Sequence, residues 1–239
     1  MRRIWFDIFE EINFFILKLK KNKKISLNDK SLGINLGSEN NTIKEYIGID
    51  GSFLIYIMKS CLPLFLKKYI YKKSCTSNYK GFEDFYKSLG NKKIVHFNLD
   101  YGIPLNSNSV RNIYTSHFLE HLNGKEGAAI LEECYRCLKN KGILRIVVPD
   151  LEEETKRIEA AIKKYKLGDS DPIQEFLTVD RYNHNRFSFH QKIYSFKDLE
   201  VLLKKIGFKN IRREEFKKGN LPEVKRLEQR TGLIVEANK

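Results

Sequence analysis

The sequence predicts a doubly wound α/β domain, in which a mostly parallel sheet is covered by helices on both faces. Three observations predict it. Short apolar runs alternate along the chain with longer stretches of helical periodicity. The run Ile143–Val148 is apolar at nearly every position, as a central strand buried on both faces requires. The runs also end on glycine or polar residues, and strand ends of that kind line the ligand crevice of such sheets.

Composition sets the frame. The 239 residues suffice for one domain with a sizeable core and an appendage. Four cysteines are too few for a disulfide scaffold and fit a reducing, cytoplasmic compartment. Cys134 and Cys137 form a C-x-x-C inside a predicted helix, with no second Cys or His pair at zinc spacing. They read as helix packing, and no metal is expected. The net charge of +14 invites a polyanion reading, but the lysines are spread along the chain and no arginine-rich run is interleaved with aromatics. Nucleic acid is therefore the less favoured partner.

Taken in order, residues 1–30 read as an amphipathic, basic N-terminal helix. Ile4, Trp5, Ile8, Phe9, Ile12, Phe15, Ile16 and Leu19 fall on one face, and a lysine-rich tail follows. Asp7, Glu10 and Glu11 interrupt the apolar run, which excludes a membrane span. Docking on the chain's own domain is the simpler expectation, and contact with a membrane surface through residues 1–24 is the sharper one. Residues 31–239 form the main domain. Its opening strands, near Leu32–Leu36 and Tyr46–Asp50, flank a turn at Gly37-Ser38. Residues 51–93 read as an insert with an apolar, basic stretch from Phe53 to Tyr71.

Further strands are expected at Ile94–Phe97 and Val110–Thr115. A helix follows over Gly124–Leu138, closed by Asn140-Lys141-Gly142, and then the central strand Ile143–Val148. Asp150 reads as the N-cap of a helix to Tyr165. Residues 151–195 are expected on the acceptor side of a site. Ser195 and Asp198 resemble a capping box for a helix ending at Gly207. Phe208–Arg213 and Gly232–Ala237 are the last strands.

The strand tips suggest the ligand. A carboxylate at the end of the second strand, Asp50, is placed to accept hydrogen bonds from ribose hydroxyls. A dinucleotide would prefer two more glycines after Gly37, and Glu39 would repel its pyrophosphate. A ligand with a cationic amine and no phosphate tolerates Glu39 better, and S-adenosylmethionine is such a ligand.

Four segments then carry a family resemblance. They are Asn35-Leu36-Gly37-Ser38 with Ile49-Asp50-Gly51-Ser52; Phe97-Asn98-Leu99 with Tyr101–Leu105; Ser107–Tyr114 running into Ser116-His117-Phe118-Leu119-Glu120-His121-Leu122; and Glu133–Ile146 with Val148-Pro149-Asp150. Across residues 32–150 the chain resembles the class I S-adenosylmethionine-dependent methyltransferases of the type 11 methyltransferase domain. The resemblance implies a seven-stranded Rossmann-like sheet whose last strand is antiparallel. It implies S-adenosyl-L-methionine as cofactor, held by Gly37, Ser38, Asp50, Gly51, Asn98, Leu99 and Ser116. Glu39 replaces a common second glycine and Arg111 a common Asp; both leave open a degenerate, non-catalytic member.

Methyl transfer to a hydroxyl needs in-line positioning and a base, for which histidine is suited. His117 stands at a strand tip facing the crevice. His184 and His190 lie in Arg181–His190, a segment whose aromatics, Asn and Arg donors suit a sugar-like acceptor. These three are the catalytic candidates. His96 and His121 read as structural. The expected activity is methyl transfer to a small or glycan-like acceptor, such as polysaccharide biosynthesis uses, near the inner face of a membrane. The alternatives are an RNA or protein methyltransferase and an inactive binding subunit.

Overall fold

A computed structural model describes residues 2–28, 31–74, 79–169, 171–172 and 190–239. Cys75 and the stretch 181–189, including His184, lie outside the described residues.

Seven strands form one sheet: β1 (Gly33–Leu36), β2 (Tyr46–Asp50), β3 (Ile94–His96), β4 (Val110–Ser116), β5 (Leu138–Val148), β6 (Lys209–Arg213) and β7 (Leu233–Asn238). Their order is β3-β2-β1-β4-β5-β7-β6. The first five pair in parallel, and β7 runs antiparallel between β5 and β6. This is the predicted seven-stranded, doubly wound sheet. The order reverses between β1 and β4, so the strand ends there open a crevice. Ile34, Leu36, Ile113, Leu144 and Ile146 are fully or almost fully buried, as strands covered on both faces must be.

The helices are α1 (Arg2–Leu19), α2 (Phe53–Met58), α3 (Leu64–Lys73), α4 (Phe82–Leu89), α5 (Gly124–Cys137), α6 (Leu151–Lys166), α7 (Phe196–Ile206) and the short α8 (Val224–Leu227). Local chemistry sets several ends. Asn123 and Glu126 form a reciprocal capping box on α5. Asp150 caps α6 through the Glu152 amide, and Ser195 with Asp198 caps α7. Gly207 ends α7 in the left-handed conformation.

One boundary differs from expectation. Helix α5 stops at Cys137 and the chain passes directly into β5 at Leu138, with no glycine cap. Lys141 takes the positive φ of that stretch, and Gly142 lies where a Cβ would strike the carbonyls of Lys139 and Arg111. Gly142 thus serves strand contact, not helix termination. The Cys134 and Cys137 thiols are buried, which pushes both up, Cys137 to about 11. Arg111 projects into solvent from β4.

Helix α1 docks on the domain, but not by its whole apolar face. Leu17 and Asn13 are buried, while Ile8, Ile12, Phe15 and Leu19 form an exposed apolar stripe. The docking is partly polar. Asn13 Nδ2 donates to the Gly51 carbonyl at 3.1 Å, and His96 bridges Asn13 Oδ1 and Lys20 Nζ, each at 2.9 Å. Lysine only donates, so His96 Nδ1 accepts and Nε2–H donates to Asn13. Burial and the nearby Lys20 push the His96 ring down to about 4, which keeps it neutral for this role.

Under β5 and β7 lies a buried ionic cluster. Arg145, with no exposed surface, donates to both oxygens of Glu228 at 2.9 Å and to Glu236 at 2.8 Å. The same carboxylates accept amides of Lys217, Asn220 and Leu221. Gly219 passes so close that a Cβ would lie 2.6 Å from Arg145 Nη1, and its φ of +122° favours glycine. Removing the cation would leave Glu228 buried without a charge partner and Glu236 with Arg212 alone, 3.1 Å from its Oε2. Arg145→Ala should therefore cost about 3–5 kcal/mol of stability in urea unfolding. A loss under about 1 kcal/mol would show that the carboxylates do not need it.

Candidate functional site

At the carboxyl ends of β1, β2 and β4 lies a cleft of about 610 Å³, within the size range of small-ligand sites. The turn after β1 makes its floor. Gly37 has φ +60° and donates its amide to the Ile49 carbonyl at 3.0 Å. A Cβ there would sit 2.4 Å from the Phe118 ring, so the turn requires glycine on two counts. Glu39 also has a positive φ, and its side chain points to solvent. The turn is thus built with a carboxylate where a second glycine was expected.

Asp50 ends β2 beside that turn. Its two oxygens accept the amides of Glu39 and Ser52, each at 2.7 Å, which fixes the carboxylate and leaves lone pairs for a ligand. Burial pushes its carboxyl up to about 6; the two amides pull the other way, and the Glu39 charge adds to the rise. Asn98 caps the turn at Leu99–Tyr101 through the Asp100 amide, which presents Asn98 and Leu99 along the cleft wall.

The structure brings Gly37, Ser38, Asp50, Gly51, Asn98, Leu99, Ser116 and His117 to this one cleft. His190 lies outside the lining, exposed, with its ring 5.2 Å from that of His121. His117 follows β4 with φ +51°, an uncommon conformation for a non-glycine residue at a site. Its Nδ1 is 3.1 Å from Glu120 Oε1, and its Nε2 is 3.1 Å from the Thr231 carbonyl. Both ring nitrogens therefore face acceptors.

Two contributions escaped sequence reasoning. Helix α1 supplies a wall through Phe9, Asn13 and Leu17. The segment before β7 supplies Gln229 and Arg230; Gln191, also in the lining, comes from the 151–195 segment expected beside the site. Each comes from far along the chain, and no local motif marks it.

The donor set fits S-adenosylmethionine. A fixed carboxylate faces the cleft at the β2 tip, the glycine turn admits no side chain at its base, and Asn35 Oδ1 is a buried acceptor without a partner among the described residues.

Residues 75–146 match the methyltransferase domain family, which bears out the expected family and its cofactor. A comparison with curated proteins finds no match. Among solved structures, the chain is similar to an S-adenosylmethionine-dependent methyltransferase from Archaeoglobus fulgidus, with 13% identity, TM-score 0.48, and 97% of this chain and 94% of that one covered. One from Methanosarcina mazei shows 17% identity and TM-score 0.45, covering 90% and 99%.

The Asp50 carboxyl sets a pH dependence. A ribose seated at this tip would donate its hydroxyls to the ionised acid, the form that prevails above about pH 6. Affinity for S-adenosylmethionine should be level above neutrality and fall as pH drops through 6. In Asp50→Asn it should be about tenfold or more weaker and flat with pH, since a hydrogen bond to a charged group contributes about 1.5–3 kcal/mol. A wild-type titration profile that is flat from pH 5 to 8 would refute this role.

Proposed function

We propose that this chain, an S-adenosylmethionine-dependent methyltransferase by the family of its matched segment and by its strand order, methylates a polyhydroxylated acceptor, small or glycan. The observation that carries the reading is the cleft itself. Its β1–β2 end offers a fixed carboxylate to a ribose, and its β4 end gathers His117, His121, Gln191 and Arg230. Those side chains hydrogen-bond hydroxyls well and give little to an apolar acceptor.

The bound cofactor supplies a methyl group on a sulfonium, open to in-line attack. The chain's part is positioning and proton transfer. Asp50, Asn98 and Leu99 hold the nucleoside end, and the Gly37 turn admits the amino-acid end. His117 is the proposed base. With Nδ1–H donated to Glu120 Oε1, the Nε2 lone pair takes the acceptor hydroxyl's proton when that hydroxyl stands in place of the Thr231 carbonyl, and the Glu120 charge at 3.1 Å stabilises the imidazolium. His190 is proposed on the acceptor side, beside His121. The same geometry would serve a hydroxyl of RNA, but the lysines are spread along the sequence with no arginine-rich run.

We also propose peripheral membrane contact through α1. Its exposed stripe Ile8, Ile12, Phe15 and Leu19 is followed by Lys20, Lys21, Lys23 and Lys24. Phe65, 70% exposed, adds an apolar point on the lysine-bearing α3. No described helix is long and apolar enough to cross a membrane.

His117→Ala should lower turnover at least tenfold while leaving S-adenosylmethionine affinity within about twofold, by the usual worth of a general base. Unchanged turnover would remove the base assignment. In flotation with anionic liposomes, the full chain should rise with the vesicles and Phe15→Glu should not. Equal behaviour of the two would sink the membrane contact.

A further inference from the structure

We propose that Glu120, His121 and His190 form a binding site for a divalent transition-metal ion of the zinc or manganese type, at the β4 end of the cleft. One ligand atom from each residue lies within 4.8 Å of the others. Two imidazoles and one carboxylate are a donor set that suits such ions and leaves coordination positions open. Ligand atoms about 2.1 Å from a tetrahedral ion are about 3.4 Å apart, so the three need close by little more than an ångström.

The second observation is Glu120 itself. Its side chain has no exposed surface, Oε2 has no hydrogen-bond partner among the described residues, and Oε1 meets only the His117 ring, with Nδ1 at 3.1 Å. The nearest cationic group is His117, charged only when protonated, beside Oε1. A buried carboxylate left in that state is costly. A metal ion on Oε2 would compensate it, and His117 at Oε1 would then orient the ligand from behind, as outer-shell partners of metal sites do.

The approach of His190 is built into the backbone. The amides of Gln191 and Lys192 both donate to the Glu120 carbonyl, at 2.8 and 3.1 Å. The Gln191 side chain donates to the His121 carbonyl at 2.9 Å. These three bonds hold the chain entering at residue 190 against the turn that carries Glu120 and His121. Sequence spacing hides the set, because His190 lies far from Glu120 and His121 along the chain. His121 lines the cleft, so an ion held there would stand at the cleft's border, within reach of an acceptor oxygen. That last role rests on the methyl-transfer reading; the metal site does not.

The experiment is titration of the full chain, first stripped with a chelator, with Co²⁺, followed by its d–d absorption and by competition with Zn²⁺ and Mn²⁺. One equivalent should bind with a low-symmetry spectrum. His190→Ala and His121→Ala should each weaken binding at least tenfold, with circular dichroism unchanged. His190 is exposed, so its variant tests the site even where Glu120→Gln fails to fold. Wild-type binding no tighter than that of His190→Ala would overturn the proposal. S-adenosylmethionine affinity measured on the same samples separates the two claims: its absence with Co²⁺ binding intact would refute methyl transfer and leave the metal site standing.

Discussion

The buried guanidinium of Arg145 is the constraint on which the second half of the molecule depends. It stands on the central strand, where an apolar residue would be expected, and both of its carboxylate partners come from beyond residue 215. Such a cluster is a poor source of net stability, because desolvation of the charges offsets much of their attraction. Its effect is positional. Glu228 and Glu236 use their remaining lone pairs on the amides of residues 217, 220 and 221, so the irregular chain before β7 has one place to lie. That segment then delivers the Thr231 carbonyl to His117 and Arg230 to the cleft. A charge placed under the sheet thereby shapes the β4 end of the cleft on its edge.

Much of the architecture was legible in the sequence, because it rests on short-range physics. Strand and helix periods, the Asp150 cap and the Ser195–Asp198 box are local, and each was found where the pattern put it. The end of α5 was not legible. Its glycine looked like a helix stop, yet it answers to the carbonyls of Lys139 and Arg111, one of them a strand away. The face of α1 misled for a similar reason. Periodicity groups Ile8, Ile12 and Phe15 as a core face, but the domain offers His96 and the Gly51 carbonyl, which select Asn13.

The site divides the same way. Gly37, Asp50, Asn98 and His117 were legible because strand tips announce themselves by a glycine or polar residue after an apolar run. Glu120 sat within a quoted motif without a role, since its burial and its approach to His190 are tertiary facts. The walls from α1 and from residues 227–230 were invisible for want of any motif.

The polar docking of α1 has a mechanical consequence. Phe9, Asn13 and Leu17 belong to one rod, so the width of the cleft on that side is governed by a single rigid-body coordinate and not by many independent rotamers. The rod is joined at Gly51, immediately after the carboxylate of Asp50. A tilt of the helix therefore changes the aperture and strains the Asp50 end together, and the entropy of organising that wall has already been spent in folding one helix.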